Sequence, residues 1–198
     1  MLKRIFDIIL SLAALVIFSP LFLIVALIIK LTSPGPVFYK GKRVGKGGRI
    51  FLMHKFRSMV ADADKIGTDL TKYEDPRITK IGRLLRRTKL DELPNLIDVL
   101  AGNMSLVGPR PETPSYTRYY DERQKKVLDI RPGITGLAQL ENRDEDLKLK
   151  DKANPDEYYI QELMPKKLEI DLYYMENSNL LMDIKILFKT ITTRSARE

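Results

Sequence analysis

The stretch IILSLAALVIFSPLFLIVALII, residues 8–29, decides how the chain is laid out, because its 22 residues carry no charge. As a helix it is long enough to cross a hydrocarbon core of about 30 Å. It is too long for the apolar core of a secretory signal, and no small-residue cleavage pattern follows it. Ser19-Pro20 lies near its middle. Pro20 removes one helical hydrogen bond and presses on the preceding turn, so a kink or break is expected there, with Ser19 a partner for the freed backbone. Lys3 and Arg4 precede the run, Lys30, Lys40, Lys42, Arg43, Lys46 and Arg49 follow it, and no acidic residue falls between Asp7 and Asp62. Positive flanks on both sides oppose a simple crossing, since Lys and Arg collect on the cytoplasmic side. The residues alone leave two layouts open: a re-entrant helical hairpin over residues 1–33, or a kinked transmembrane helix.

Beyond this segment, residues 34–198 are long enough for one compact domain. The chain has no cysteine, so disulfides and thiolate metal sites are excluded. The single His54 cannot build a His-rich metal centre and reads as an ordinary strand residue. Residues 1–90 hold 18 basic and 6 acidic side chains, net +12, whereas the remainder is net −4 within the overall +8. A basic first half calls for an anionic partner such as lipid headgroups or nucleotide phosphates. Nucleic acid would answer the charge, but it leaves residues 8–29 unexplained and no nucleic-acid motif is present.

Thr32-Ser33-Pro34-Gly35-Pro36 makes a stiff exit from the apolar run. Residues 37–39 and 49–53 read as two strands joined by the glycine-rich turn 45–48, hence a hairpin. Lys55 and Arg57 alternate around Phe56, which puts both cations on one face. Residues 61–75 read as a polar, mobile loop. Asp75-Pro76 opens a helix with apolar Ile78, Ile81, Leu84 and Leu85, and it carries Arg86 toward the pair Asp91-Glu92. Asp91 suits an N-cap, Pro94 a first turn and Gly102 a C-terminal stop. Carboxylates beside a helix start and two arginines form a plausible phosphate site with a bridging metal, although these residues alone favour an N-cap Asp beside a solvated Glu. Pro109-Arg110-Pro111 holds Arg110 in an extended loop, ready for bidentate phosphate binding. Residues 116–129 read as a polar helix. Asn177-Ser178-Asn179 caps a last helix with apolar Leu180, Leu181, Ile184, Leu187, Phe188 and Ile191, offset from Lys185, Lys189 and Arg194. Its stripe is expected to pack on the core, with a membrane surface as the alternative.

Several of these stretches together resemble the bacterial sugar transferase family, specifically the small monotopic phosphoglycosyl transferases. The resemblance is carried by the basic start and apolar run broken at Ser19-Pro20, by residues 34–38, and by Lys55-Phe56-Arg57-Ser58-Met59. It is carried most strongly by residues 90–94, 104–111 and 131–139, and it ends at 171–174 and 183–185. After Gln139 the family often reads Val-Asn-Gly-Arg, where this chain has Leu140-Glu141-Asn142-Arg143. The charged segment 144–166 is longer than in minimal members. Both departures fall on the sugar-recognition region.

The resemblance implies a mainly α fold with a small β-hairpin (α+β) and no Rossmann-like core. It implies a re-entrant membrane helix over 1–33 and a cytoplasmic catalytic domain over 34–198, monotopic on the cytoplasmic face of a bacterial inner membrane. The implied reaction moves a sugar-1-phosphate from a nucleotide diphosphate sugar, a UDP-sugar, to polyprenyl (undecaprenyl) phosphate. Asp91 would be the nucleophile and a ligand of Mg²⁺, and Glu92 would prepare the acceptor. Lys55, Arg86 and Arg110 would bind phosphate, with Gln139 and Arg143 contacting nucleotide or sugar. The product would enter a bacterial glycan pathway such as exopolysaccharide synthesis. Membrane lipids are an implied partner, and a homodimer is permitted but not required. The rival reading is a non-catalytic, membrane-anchored binder of lipid or polymer, which gives no reason for two carboxylates between Arg86 and Arg110.

Overall fold

The computed structural model describes residues 1–67, 70, 71, 74–143 and 145–193. The loop expected at 61–75 therefore lies partly outside the described residues, as does Arg194. Among these residues the fold is mainly helical, with two small sheets and one long apolar N-terminal helix.

That helix, α1 (Leu2–Thr32), is long and apolar enough to cross a membrane. The break expected at Pro20 is not a break in the helix, which runs on through the proline. Pro20 leaves the Val16 carbonyl without its usual donor, and Ser19 Oγ–H supplies one at 2.8 Å. Both halves of α1 are fastened to the rest of the chain. Lys3 Nζ donates to Asp183 at 2.6 Å and to the Val107 carbonyl at 3.1 Å. Arg4 donates to the Val99 and Leu100 carbonyls. Buried Asp7 accepts from Ser105 Oγ and Leu106 N. The C-terminal half packs Leu21, Phe22, Val25 and Ile29 against Phe56 and Leu85, while residues 16–20 are exposed all round.

Strands β1 (Phe38–Val44) and β2 (Ile50–Phe56) form the expected hairpin, longer than the sequence suggested. Gly47 and Gly48 take the positive φ values that its tip requires. The other edge of β2 is closed by Asp98, fully buried in α3 (Asn95–Leu100), which accepts from His54 N–H at 2.8 Å. The His54 ring also meets Asp98, at 2.9 Å, so His54 is a pinned strand residue rather than a solvated one. Arg57 does not stay beside Lys55: it turns back and donates to the Ser33 and Pro34 carbonyls, stapling the exit from α1.

Helix α2 (Lys80–Arg87) begins four residues later than Asp75-Pro76 suggested. Asp75 is taken up by Arg77 at 2.7 Å, and Thr79 Oγ1 caps the helix by accepting from Gly82 N. The helix expected over 116–129 is also corrected. Its backbone splits into a short helical turn, Pro114–Thr117, and a 3-10 stretch, Gln124–Asp129. Tyr116, Tyr120 and Val127 still turn inward against α5 (Met164–Asn177), as one helix face would, although no single helix carries them; here α5 is numbered after α4 (Leu137–Glu141).

A second sheet pairs β3 (Ser105–Val107) with β4 (Gly133–Thr135) in parallel. Gly108 and Gly133 let the two backbones touch: a Cβ on Gly133 would lie 2.1 Å from Gly108 N and 2.5 Å from Thr135 O. Gly133→Ala should therefore lower stability by about 2–3 kcal/mol. Thermal unfolding in detergent checks this, and an unchanged midpoint would contradict it.

Helix α6 (Leu180–Thr192) starts at Asn179, whose side chain caps it as expected. Its apolar stripe packs on the core only through Leu187, with Leu180 half-buried, and the rest faces outward. Leu181, Ile184, Phe188 and Ile191 are 62, 45, 67 and 84 % exposed. The covered face is instead partly polar: Asp183 accepts from Tyr174 and Lys3, Ile186 is buried, and Thr190 bonds Thr135.

Candidate active site

Asp91 stands in a single 3-10 turn, Leu90–Glu92, entered through Lys89 at φ 59°. It is not the N-cap of a helix, because α3 starts only at Asn95, behind Pro94. Lys89 turns the chain so sharply that the next residues close as a 3-10 turn, and Pro94 has no N–H to join an α ladder. The consequence is chemical. The Asp91 carboxylate is not spent on a backbone N–H: it is 5 % exposed, and its Oδ1 meets no donor among the described residues.

Around it stand the cations that the sequence pointed to. Lys55 Nζ reaches Glu92 Oε1 at 2.7 Å, and Arg110 Nη2 reaches the same oxygen at 2.8 Å. Arg86 is held beside the pair by Ser58 Oγ at 2.9 Å and Thr71 Oγ1 at 3.2 Å. Sequence reading missed Ser58 and Thr71, which are separated from Arg86 by 28 and 15 residues.

The two adjacent carboxyls sit in opposite environments. Burial raises the Asp91 carboxyl above its usual range, and the charge of Lys55 only partly opposes this. Burial would raise Glu92 as well, but the charges of Arg110 and Lys55 and the Arg110 hydrogen bond outweigh it and hold Glu92 well below the usual range. Burial pulls the Lys55 ammonium down against the attraction of Glu92, and Glu92 raises the Arg110 guanidinium. Environments that push two neighbouring groups apart assign them different tasks. Glu92 is a fixed anion that organises cations; Asp91 is a more basic oxygen with an open lone pair.

Two sequence candidates stand elsewhere. Gln139, on α4, donates to the Ile134 carbonyl at 3.1 Å and leaves Oε1 buried without a partner. Arg143 is taken up by the last carbonyls of α6, at Lys189, Thr190 and Thr193, so it serves as a helix C-terminal cap. A charge pattern alone does not separate that task from ligand binding.

The loop that presents Arg110 is anchored from behind. Glu112 accepts from the Tyr159 hydroxyl, Tyr159 receives Lys167 Nζ at 3.1 Å, and Lys167 pairs with Glu145 at 2.6 Å. The charged segment that sequence reading linked to sugar recognition is thus tied to Arg110. A small cavity under this loop is lined by Glu112, Tyr120 and buried Asp171. Burial pushes the Asp171 carboxyl from 3.8 to about 7. A group whose folded value is raised favours folding below its unfolded value, and that contribution is lost as pH rises through the folded one. Wild-type stability should therefore fall between pH about 4 and about 7 by on the order of 4 kcal/mol from this group. Asp171→Asn should flatten that slope in thermal unfolding scans; an unaltered slope would contradict the assignment.

A basic oxygen inside a ring of cations, on a domain fastened to a long apolar helix, suits work on phosphate-bearing substrates beside a lipid phase. The chain belongs to the bacterial sugar transferase family, whose family model matches residues 1–197. It is 40% identical over 195 residues to the UDP-N-acetylgalactosamine-undecaprenyl-phosphate N-acetylgalactosaminephosphotransferase of Aeromonas hydrophila, covering 97% of this chain and 43% of that protein. It is 41% identical over 204 residues to the exopolysaccharide production protein PSS of Rhizobium leguminosarum bv. phaseoli, covering 99% and 96%. It is 41% identical over 196 residues to the UDP-glucose:undecaprenyl-phosphate glucose-1-phosphate transferase of Escherichia coli K12, covering 96% and 39%. The chain thus spans less than half the length of two of these relatives and nearly all of the third.

Proposed function

We propose that the chain transfers a sugar-1-phosphate from a UDP-sugar to undecaprenyl phosphate, releasing UMP and leaving a polyprenyl-diphosphate-sugar. The observation that carries this reading is the buried Asp91 Oδ1, without a partner among the described residues, beside Lys55 and Arg86 and next to the Glu92–Arg110 pair. Relatives about 40% identical over almost the whole chain bear names with the same two substrates.

In the first step an Asp91 oxygen attacks the sugar-bearing phosphorus, the bond to the UMP oxygen breaks, and its electron pair leaves with UMP. Acceptor phosphate then attacks the same phosphorus, the bond to Asp91 breaks, and the carboxylate is restored. Splitting the transfer lets a water-borne donor and a membrane-borne acceptor visit in turn. Lys55, Arg86 and Arg110 cancel charge on the transferring group, which is where most of the rate in phosphoryl transfer arises. Glu92 holds Lys55 and Arg110 in place before substrate arrives. When phosphate oxygens claim those cations, the released carboxylate can take the remaining proton from the acceptor phosphate.

Asp91 is the hard oxygen donor that Mg²⁺ prefers, and Asn95 Oδ1, four residues on, is also buried without a partner. Among the described residues no group of three or more acidic, His or Cys side chains forms a cage. The fit is therefore the sparse kind in which Mg²⁺ takes one carboxylate and the substrate's phosphates. When bound, Mg²⁺ supplies charge neutralisation on the diphosphate. Gln139 keeps a buried oxygen without a partner among the described residues, and Arg143 is assigned to structure.

The membrane reading divides the chain into an inserted segment, 1–33, and a catalytic domain, 34–198, on the cytoplasmic face of a bacterial inner membrane. Three observations support a monotopic, re-entrant path. Both ends of α1 are fastened to the same body. Residues 16–20, around Ser19-Pro20, stand clear of it. The outward stripe of α6, tied to the start of α1 through Lys3 and Asp183, presents an apolar surface suited to the headgroup boundary. The test is release of UMP from a panel of UDP-sugars by detergent-purified protein with undecaprenyl phosphate and Mg²⁺. Release that depends on both supports the reading and identifies the donor, and no release from any donor would overturn it.

A further inference from the structure

The β1–β2 hairpin has a face that the catalytic reading leaves unused. In register, Phe38 pairs with Phe56, Lys40 with His54 and Lys42 with Leu52. Strand alternation puts these six side chains, with Ile50, on one face and Lys55 on the other. One end of the face is covered by α1: the Phe22 ring lies 5.1 Å from Phe56, which stacks on Phe38 at 5.4 Å. Past that contact Val44, the partner of Ile50, is buried and His54 is held by Asp98, and the open part of the face is formed by Lys40, Lys42, Leu52 and Ile50. Leu52 is 49 % and Ile50 60 % exposed, and Lys40 and Lys42 are exposed beside them. Among the described residues neither lysine pairs with a carboxylate.

Large aliphatic side chains between unpaired lysines suit an interface that is apolar beneath and anionic at its rim. On α1, beside the Phe22 that touches Phe56, Leu23, Ile24 and Leu27 are exposed as well. We propose that this hairpin face is a second membrane contact, with Leu52 and Ile50 entering the headgroup boundary and Lys40 and Lys42 pairing with the phosphates of anionic lipids. The proposal rests on the reading of α1 as membrane-inserted. It also gives that reading a mechanical use. Helix α6 is tied to the start of α1 and the hairpin to its C-terminal half, so the molecule rests on lipid to both sides of the anchor. Lys55, on the hairpin's opposite face, is then held at a fixed height above the bilayer, beside Asp91 and Glu92.

The absence of native cysteine makes site-specific labelling direct. Single variants Leu52→Cys, Leu23→Cys and Glu122→Cys, each carrying an environment-sensitive fluorophore, would be reconstituted in phosphatidylcholine vesicles with and without phosphatidylglycerol. Quenchers carried on lipid acyl chains should dim the probes at 23 and 52 and spare the one at 122. Quenching at 52 should grow with phosphatidylglycerol and fade with added salt. At about 1 kcal/mol per surface cation, Lys40→Glu with Lys42→Glu should shift the hairpin-bound population at least about tenfold. Quenching at 23 without quenching at 52 would overturn the hairpin contact while leaving the anchor intact. Quenching at neither position would overturn the anchor itself. Quenching at 52 that ignores both phosphatidylglycerol and the charge reversal would overturn the pairing with headgroups.

Discussion

Asp91→Asn should reduce UMP release by at least about 10³-fold while leaving the protein folded. Asparagine matches aspartate in shape, and the Asp91 Oδ1 makes no hydrogen bond that the change would break. Removing a buried carboxyl whose burial opposes its charge should cost no stability. The loss would therefore be chemical: an amide oxygen has neither the charge nor the basicity to attack phosphorus. The same reasoning sets the acid limb of the pH profile. Attack needs the ionised form, and the Asp91 carboxyl is raised by burial, so kcat/KM should fall on acidification at a pH above the ordinary carboxylate range. Near-full turnover in Asp91→Asn, measured by UMP release, would rule out the nucleophile.

Glu92→Gln should be the next most costly change, lowering kcat/KM by about 10²-fold. One oxygen of Glu92 receives both Lys55 and Arg110, and its side chain is 12% exposed. The amide keeps the volume but removes the charge that places two cations side by side, so they would repel each other and drift from the phosphate position. The effect differs from that of Asp91→Asn in kind. Residual turnover should persist, and KM for the donor should rise along with the fall in kcat. A variant with wild-type kcat and KM would show that the Lys55–Glu92–Arg110 cluster is structural only.

Much of this site was legible in the sequence because it is built from short-range features. Asp91 and Glu92 are adjacent, Arg86 is one turn of chain away, and two prolines hold Arg110. Strand alternation gave Lys55 a definite face, although it misassigned Arg57, whose guanidinium reaches back to the exit from α1. What escaped depends on contacts distant in sequence. Ser58 and Thr71 hold Arg86, and Tyr159, Lys167 and Glu145 brace the Arg110 loop; no local pattern announces either. The start of α3 was misplaced because the left-handed turn at Lys89 occurs at a residue with no special liking for it. For α6, an amphipathic stripe shows that a helix has two faces but not which one is covered. Here a mixed face is covered, with Asp183 partnered by Lys3 and Tyr174 beside buried Ile186, while Lys185 and Lys189 stay exposed. Lys3 and Arg4 were read as topology signals at a membrane edge, and the fold also uses them to bind α1 to the domain.

The most direct test of the account is to give detergent-purified protein a UDP-sugar with Mg²⁺ and no acceptor lipid, quench in acid, and weigh the protein by mass spectrometry. The account predicts stoichiometric UMP release and a protein heavier by one phosphosugar, located on the peptide containing Asp91. Undecaprenyl phosphate should then discharge that adduct. UMP release that occurs only when the acceptor is present, with no adduct at any time, would contradict the covalent mechanism.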